Sequence, residues 1–211
     1  MHQQTLQAGE LPRTSFIKRG LILEYTTIVY NSLEGLIAII FGLIAGSIAL
    51  VGFGFDSVIE VSSGAILLWR LYADEEEERR ERIELISFRA VGICFVLLAL
   101  SVAYEAFSSL VRHASPERSI PGILLAGASL VVMPLLARAK RRVAMNIKSE
   151  AMRADAKQTE FCTYLSAILL CGLLLNALCS WWWADPVAAL AMAPIIAKEG
   201  IEGLRGDPCC D

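Results

Sequence analysis

The stretch GFGFDSVIEVSSG, residues 52–64, places Asp56 and Glu60 four positions apart inside a long apolar run. On a helix, four residues leave two side chains about 40° apart around the axis and one turn apart along it. Both carboxylates can therefore face one ion. A carboxylate at the centre of a bilayer helix costs about 2.5–3.5 kcal/mol on insertion scales, and such groups mark ion or proton paths by default. Two carboxylates facing one site repel, which favours a proton on one of them while the site is empty. A divalent cation removes the repulsion and displaces that proton. The pair thus has the chemistry of metal binding coupled to proton exchange; its other use is as a protonated contact between helices.

A second pair with the same spacing is Gln158 and Cys162 in ADAKQTEFCTYLS, residues 154–166. A thiolate and an amide oxygen are both metal donors, and sulfur tilts the choice toward zinc-like ions. Packing for the cysteine and solvation for the glutamine are the alternatives. Asp155 and Glu160 compete with them as ligands, but Glu160 stands about 160° from Cys162 around a regular helix. Glu34, with Asn31 three residues before it, is a further candidate as ligand, proton relay or interhelical hydrogen bond. Glu105 is expected at an outer interface.

These residues need helices to position them. The 211-residue chain is 55% hydrophobic, with a mean hydropathy of +0.55, and its charges are clustered. Apolar runs of about 20 residues alternating with charged runs predict an all-α polytopic membrane protein. Six spans are expected, at about 23–45, 49–72, 86–108, 120–137, 155–180 and 184–202. Residues 1–22 read as a cytoplasmic N-terminal tail, 23–205 as the six-helix domain, and 206–211 as a short cytoplasmic tail. WADP at 183–186 reads as a helix start, with Asp185 as N-cap and Pro186 in the first turn. Gly42, Gly46 and Ser47, and likewise Ser62, Ser63 and Gly64, would let helices approach closely. For Gln158 to lie level with Asp56 and Glu60, the fifth helix must run on as a long rod or a water-filled cavity must enter from the cytoplasm.

The 19 basic residues divide 17 to 2 between the two faces that six spans define, only Arg112 and Arg118 falling on the minor face. Both termini are therefore expected in the cytoplasm, with WWW at 181–183 at the outer interface and Trp69 and Tyr72 at the inner one. The run DEEEERRERIE, residues 74–84, reads as a solvated helical extension with pairs three and four apart. No basic patch interleaved with aromatics supports nucleic-acid binding. The six cysteines, Cys94, Cys162, Cys171, Cys179, Cys209 and Cys210, suggest no disulfide framework. Cys209 and Cys210 read as a tail or a metal-capturing end.

With these residues in place, the chain resembles the cation diffusion facilitators, metal/proton exchangers with six spans. GSIALVGFGFDSVIE carries Asp56 and Glu60 at the ligand positions of the family's second span, and ADAKQTEFC carries Gln158 and Cys162 at those of the fifth. WWWADPVAALAM is similar to the start of the sixth. GFGFDSVIE followed by LLWR is most similar to a vesicular-zinc-protein branch. Departures are plain: the family's intramembrane histidine is missing, since His2 lies in the tail and His113 in an outer loop, and the fifth-span Asp is Cys162. A membrane-only member, without the C-terminal cytoplasmic domain of many relatives, is expected.

The resemblance implies efflux of a divalent cation by proton antiport, with a homodimer as the assembly. Zn²⁺ is the expected ion, and Cd²⁺, Co²⁺, Fe²⁺ and Mn²⁺ are compatible with the carboxylates. Asp56, Glu60, Gln158 and Cys162 would hold the metal, with Glu34, Asn31 and Asp155 as outer partners or proton relays. No resident cofactor and no enzyme activity are expected. The expected location is the bilayer of a bacterial inner membrane. The rival readings are a non-transporting scaffold or metal-binding regulatory subunit and, less supported, a membrane enzyme.

Overall fold

An apolar run can cross lipid as a helix because a helix satisfies its own backbone donors and acceptors. In the computed structural model, which describes residues 13–72, 77–113 and 116–205, all regular structure is helical. The helices are α1 (Arg13–Ala45), α2 (Ile48–Tyr72), α3 (Glu77–Arg112), α4 (Ile120–Ile147), α5 (Glu150–Cys179) and α6 (Ala184–Arg205). The first five are long and apolar enough to cross a membrane. The sixth, expected as a span at 184–202, falls short because Asp185 near its start and Lys198, Glu199 and Glu202 near its end interrupt it.

Most helices overrun their expected spans. Residues 13–22, read as tail, form the first turns of α1. α4 continues ten residues beyond 137, because Met133, Ala137, Lys140, Ala144 and Ile147 prolong its buried face. A two-residue link then turns the chain. Lys148 adopts a left-handed conformation as the C-cap of α4, and Ser149 caps α5 by accepting the Met152 amide at 3.3 Å. α5 is thus one continuous helix of 30 residues. α3 begins at Glu77, so the charged run is helical from there on. Residues 1–12, 73–76, 114–115 and 206–211, with Cys209 and Cys210, lie outside the described residues, as does the side chain of Cys94.

The helices close a ring in the order α1, α4, α5, α6, α3, α2, and α2 also reaches across to α5. With α6 also in reach, α2 touches α1, α3, α5 and α6. Its buried face is correspondingly broad, including Leu50, Phe53, Asp56, Ser57, Glu60 and Leu67. Glycines allow the tightest crossings: a Cβ on Gly92 of α3 would sit 2.7 Å from the Leu204 amide and 2.8 Å from the Gly200 carbonyl of α6. Gly42 meets the Val51 backbone in the same way. Gly46, at φ 66°, serves the α1–α2 turn instead of a crossing.

The α1–α2, α3–α4 and α5–α6 turns gather at one end. The Glu117 amide donates to the Ala45 carbonyl at 2.7 Å, Asn176 Nδ2 to the Pro116 carbonyl at 3.1 Å, and Arg118 Nη2 to Ser180 Oγ at 2.9 Å. Asp185 is not the cap of its own helix. It lies inside the first turn of α6 and accepts the Ile48 amide at 3.0 Å and the Ser47 hydroxyl, capping α2 instead. The main apolar core, around Leu50, Phe53, Leu169, Leu173 and Met192, fills the bundle. A smaller cluster of Leu67, Val143, Ala144, Ile147 and Met152 closes it near the α4–α5 link.

Candidate metal site

α2 and α5 run antiparallel. Positions 155, 159, 162 and 166 of α5 follow spacings of four, three and four, so they form one stripe. That stripe meets Asp56 and Glu60 across the bundle. The Cys162 sulfur lies 3.1 Å from Asp56 Oδ2 and 2.9 Å from Glu60 Oε2, and all three residues are buried. The thiol has one proton and two carboxylates to share it with.

In a tetrahedral zinc complex, bonds of about 2.3 Å to sulfur and 2.0–2.2 Å to oxygen would place sulfur and oxygen about 3.6 Å apart. The three donors are closer than that. Consistently, among the described residues no three His, Cys, Asp or Glu side chains form a ready-made ion cage. A zinc-like ion here would need the donors to spread by about half an ångström.

Gln158 is not drawn to the carboxylates; its Nε2 is buried without a hydrogen-bond partner. Thr159 takes that side of the site, donating to Glu60 Oε1 at 2.7 Å. Glu34 reaches α2 through Ser57, whose hydroxyl donates to Glu34 Oε2 at 3.1 Å, while Glu34 Oε1 has no partner. Asn31 is buried with neither amide atom bonded. Asp155 binds Lys140 Nζ at 2.5 Å instead of joining the carboxylate pair. Glu160 points outward to Arg141, and Glu105 is exposed.

Several residues were not anticipated: Glu24, Ser57, Lys140 and Thr159. Each had a periodic signal. Glu24, Thr27, Asn31 and Glu34 are spaced three, four and three, and all are buried on one stripe of α1. Lys140 lies in phase with the apolar positions of α4.

The description "cation efflux transmembrane domain" belongs to the family model that matches residues 25–205. Among similar proteins are an uncharacterized transporter of Synechocystis sp., 25% identical over 168 residues, covering 77% of this chain and 54% of that protein, and an uncharacterized transporter of Methanocaldococcus jannaschii, 27% identical over 188 residues, covering 86% of this chain and 65% of that protein. Transmembrane protein 163 of Xenopus laevis is 24% identical over 195 residues, covering 89% of this chain and 67% of that protein. The chain thus spans between half and two thirds of the length of the first two. With a match across nearly all of the helical bundle, the chain belongs to the cation efflux transmembrane domain family, is an integral membrane protein, and has a cation transporter's architecture.

Proposed function

We propose that this protein exports Zn²⁺ in exchange for protons, with Asp56, Glu60 and Cys162 as the carrier site. The observation that carries this reading is the Cys162 thiol lying between the two carboxylates in the closed interior. Two oxygens and one sulfur suit a zinc-like ion, and Cd²⁺ and Co²⁺ share that preference. Such donors must lose protons to bind metal, so loading expels protons and unloading takes them up. Gln158, whose amide is buried with its nitrogen unpartnered, is the fourth donor after rotation toward the site. Glu34 and Asn31 pass protons along the α1 stripe.

The charge division favours both termini in the cytoplasm of a bacterial inner membrane. The α4–α5 link then faces the cytoplasm and the tryptophans the outside. Helices rocking about the central site would expose it alternately to either face. Two copies form the transporter, in keeping with the family resemblance. The chain works as a carrier and performs no catalysis.

Purified protein in liposomes under a pH gradient tests the reading. Wild type should move Zn²⁺ with an opposing proton flux, and Asp56→Ala and Glu60→Ala should each abolish both. Equal flux in wild type and variants would overturn the site. Absent flux in wild type, with intact Zn²⁺ binding, would favour a metal-binding regulatory subunit.

A further inference from the structure

One turn from Glu60, toward the α4–α5 link, a lysine is enclosed in the bundle. Lys140 has no exposed side-chain surface. Its ammonium has three N–H donors and three oxygen partners: Glu24 Oε2 at 3.2 Å, Asp155 Oδ2 at 2.5 Å and Thr159 Oγ1 at 3.3 Å. Each carboxylate spends one oxygen on the lysine. The other oxygens, Glu24 Oε1 and Asp155 Oδ1, are buried and unpartnered. Across from them stands Gly64 of α2, where a Cβ would come within 3.4 Å of Glu24 Oε2.

The arrangement is an oxygen-lined cation site with a tethered cation in it. With both carboxylates ionised, the cluster would carry a net charge of −1, and a divalent ion in place of the ammonium would neutralise them. Lys140 lies seven residues before the end of α4. Its four-carbon stem is flexible, so the ammonium can leave these oxygens without a shift of the helix. Thr159 links this place to the central site, since the same hydroxyl touches Lys140 Nζ and Glu60 Oε1.

We infer that Glu24, Asp155 and Thr159 form a second divalent-cation station on the approach to the central site, which Lys140 fills as a resident counter-cation until an ion displaces it. Its donors are all oxygen, so Mn²⁺ suits it as well as Zn²⁺. The role as an approach rests on the proposed carrier site at Asp56, Glu60 and Cys162, and the test removes that site so that the two readings fail separately.

The test is Mn²⁺ binding to the purified full chain, read by electron paramagnetic resonance. Asp56→Asn/Glu60→Gln should bind Mn²⁺ only weakly, because the ion must displace Lys140. Adding Lys140→Met should tighten that binding at least about tenfold, to one Mn²⁺ per chain, and adding Glu24→Gln to that should remove it. A folded triple variant that binds Mn²⁺ no more tightly than the double variant, or binding that survives Glu24→Gln, would overturn the inference. Should the triple variant fail to fold, acetylation of Lys140 by acetic anhydride in wild type decides, followed by mass spectrometry. Saturating Mn²⁺ should speed that modification several-fold as the ammonium leaves its enclosure, and an unchanged rate would overturn the inference. Tight Zn²⁺ binding to wild type, and its weakening in Asp56→Asn/Glu60→Gln, report separately on the proposed carrier site.

Discussion

The hydroxyl of Thr159 lies 2.7 Å from Glu60 Oε1. It is also 3.3 Å from the buried ammonium of Lys140, so one oxygen joins the carboxylate pair to the charged cluster beside it. Thr159→Val keeps the shape of the side chain and removes that junction. Groups that orient metal ligands are typically worth 10–100-fold in affinity. Titration calorimetry with Cd²⁺ should show Thr159→Val weaker by about that factor, and Thr159→Ser close to wild type. If valine binds as tightly as threonine, Glu60 does not depend on this contact.

Cys162 supplies the single soft donor among the residues in contact at the site. Cys162→Ser should weaken Cd²⁺ and Zn²⁺ binding by at least about tenfold and change Mn²⁺ little, because oxygen ligands suit the harder ion. Co²⁺ offers a direct readout. Wild type should show a sulfur-to-cobalt charge-transfer band near the ultraviolet edge, and Cys162→Ser should lack it. Identical spectra would remove the thiol from the coordination sphere.

Metal binding should tighten as pH rises. The thiol and both carboxylates coordinate in their deprotonated forms, so protons and metal compete for the same atoms. The sign is fixed by that competition: lowering pH refills the site with protons and expels the ion. Calorimetry in two buffers of different ionisation enthalpy counts the protons released. Asp56→Asn should release fewer than wild type, and a release that is the same in both would exclude Asp56 as a proton-exchanging group.

The membrane class, five of the helices as spans and the family were legible from hydropathy, charge clustering and the spacing of Asp56 and Glu60. The cross-bundle geometry was less so. Cys162 was marked by its spacing from Gln158, yet it is Thr159 that bonds to Glu60 on the other side, because a stripe on α5 advances by four and then three residues. Lys140 is one of the 17 basic residues that the charge division puts on the cytoplasmic face. Its phase with Met133, Ala137 and Ala144 shows that α4 stays docked past the last apolar run. A charged run marks the end of an apolar span at 137, whereas tertiary burial continues the helix to Ile147. Asp185 illustrates the same limit, since no local pattern tells which helix a buried carboxylate will cap.

Lys140 should also matter for stability. Removing one partner from a buried ion cluster leaves uncompensated charge and costs about 3–5 kcal/mol. Lys140→Met should therefore lower the unfolding midpoint in detergent sharply. Glu24→Gln/Asp155→Asn/Lys140→Met, which removes the charges together, should recover much of the loss, because apolar or neutral replacements of whole buried clusters are commonly tolerated. Lys198→Met provides the contrast. Its ammonium is exposed and pairs with the half-buried Glu202 one turn away on the same helix, so little change is expected.

Asp185 and Ser47 tie α6 to the start of α2 at the opposite end from Lys140. The carboxylate satisfies the Ile48 amide and accepts the Ser47 hydroxyl, whose oxygen in turn accepts the Leu50 amide at 3.2 Å. Losing a capping acceptor costs about 0.5–2 kcal/mol. Asp185→Ala and Ser47→Ala should each destabilise by an amount in that range, and the double variant should lose less than their sum, since both act through one network. Were Asp185 simply the cap of its own helix, Ser47 would be independent of it and the losses would add. Thermal unfolding of the four proteins in one detergent separates the two cases. Non-additivity would mean that the α1–α2 turn and the start of α6 move as one body, which constrains how α2 can tilt when the carboxylates it carries change their exposure.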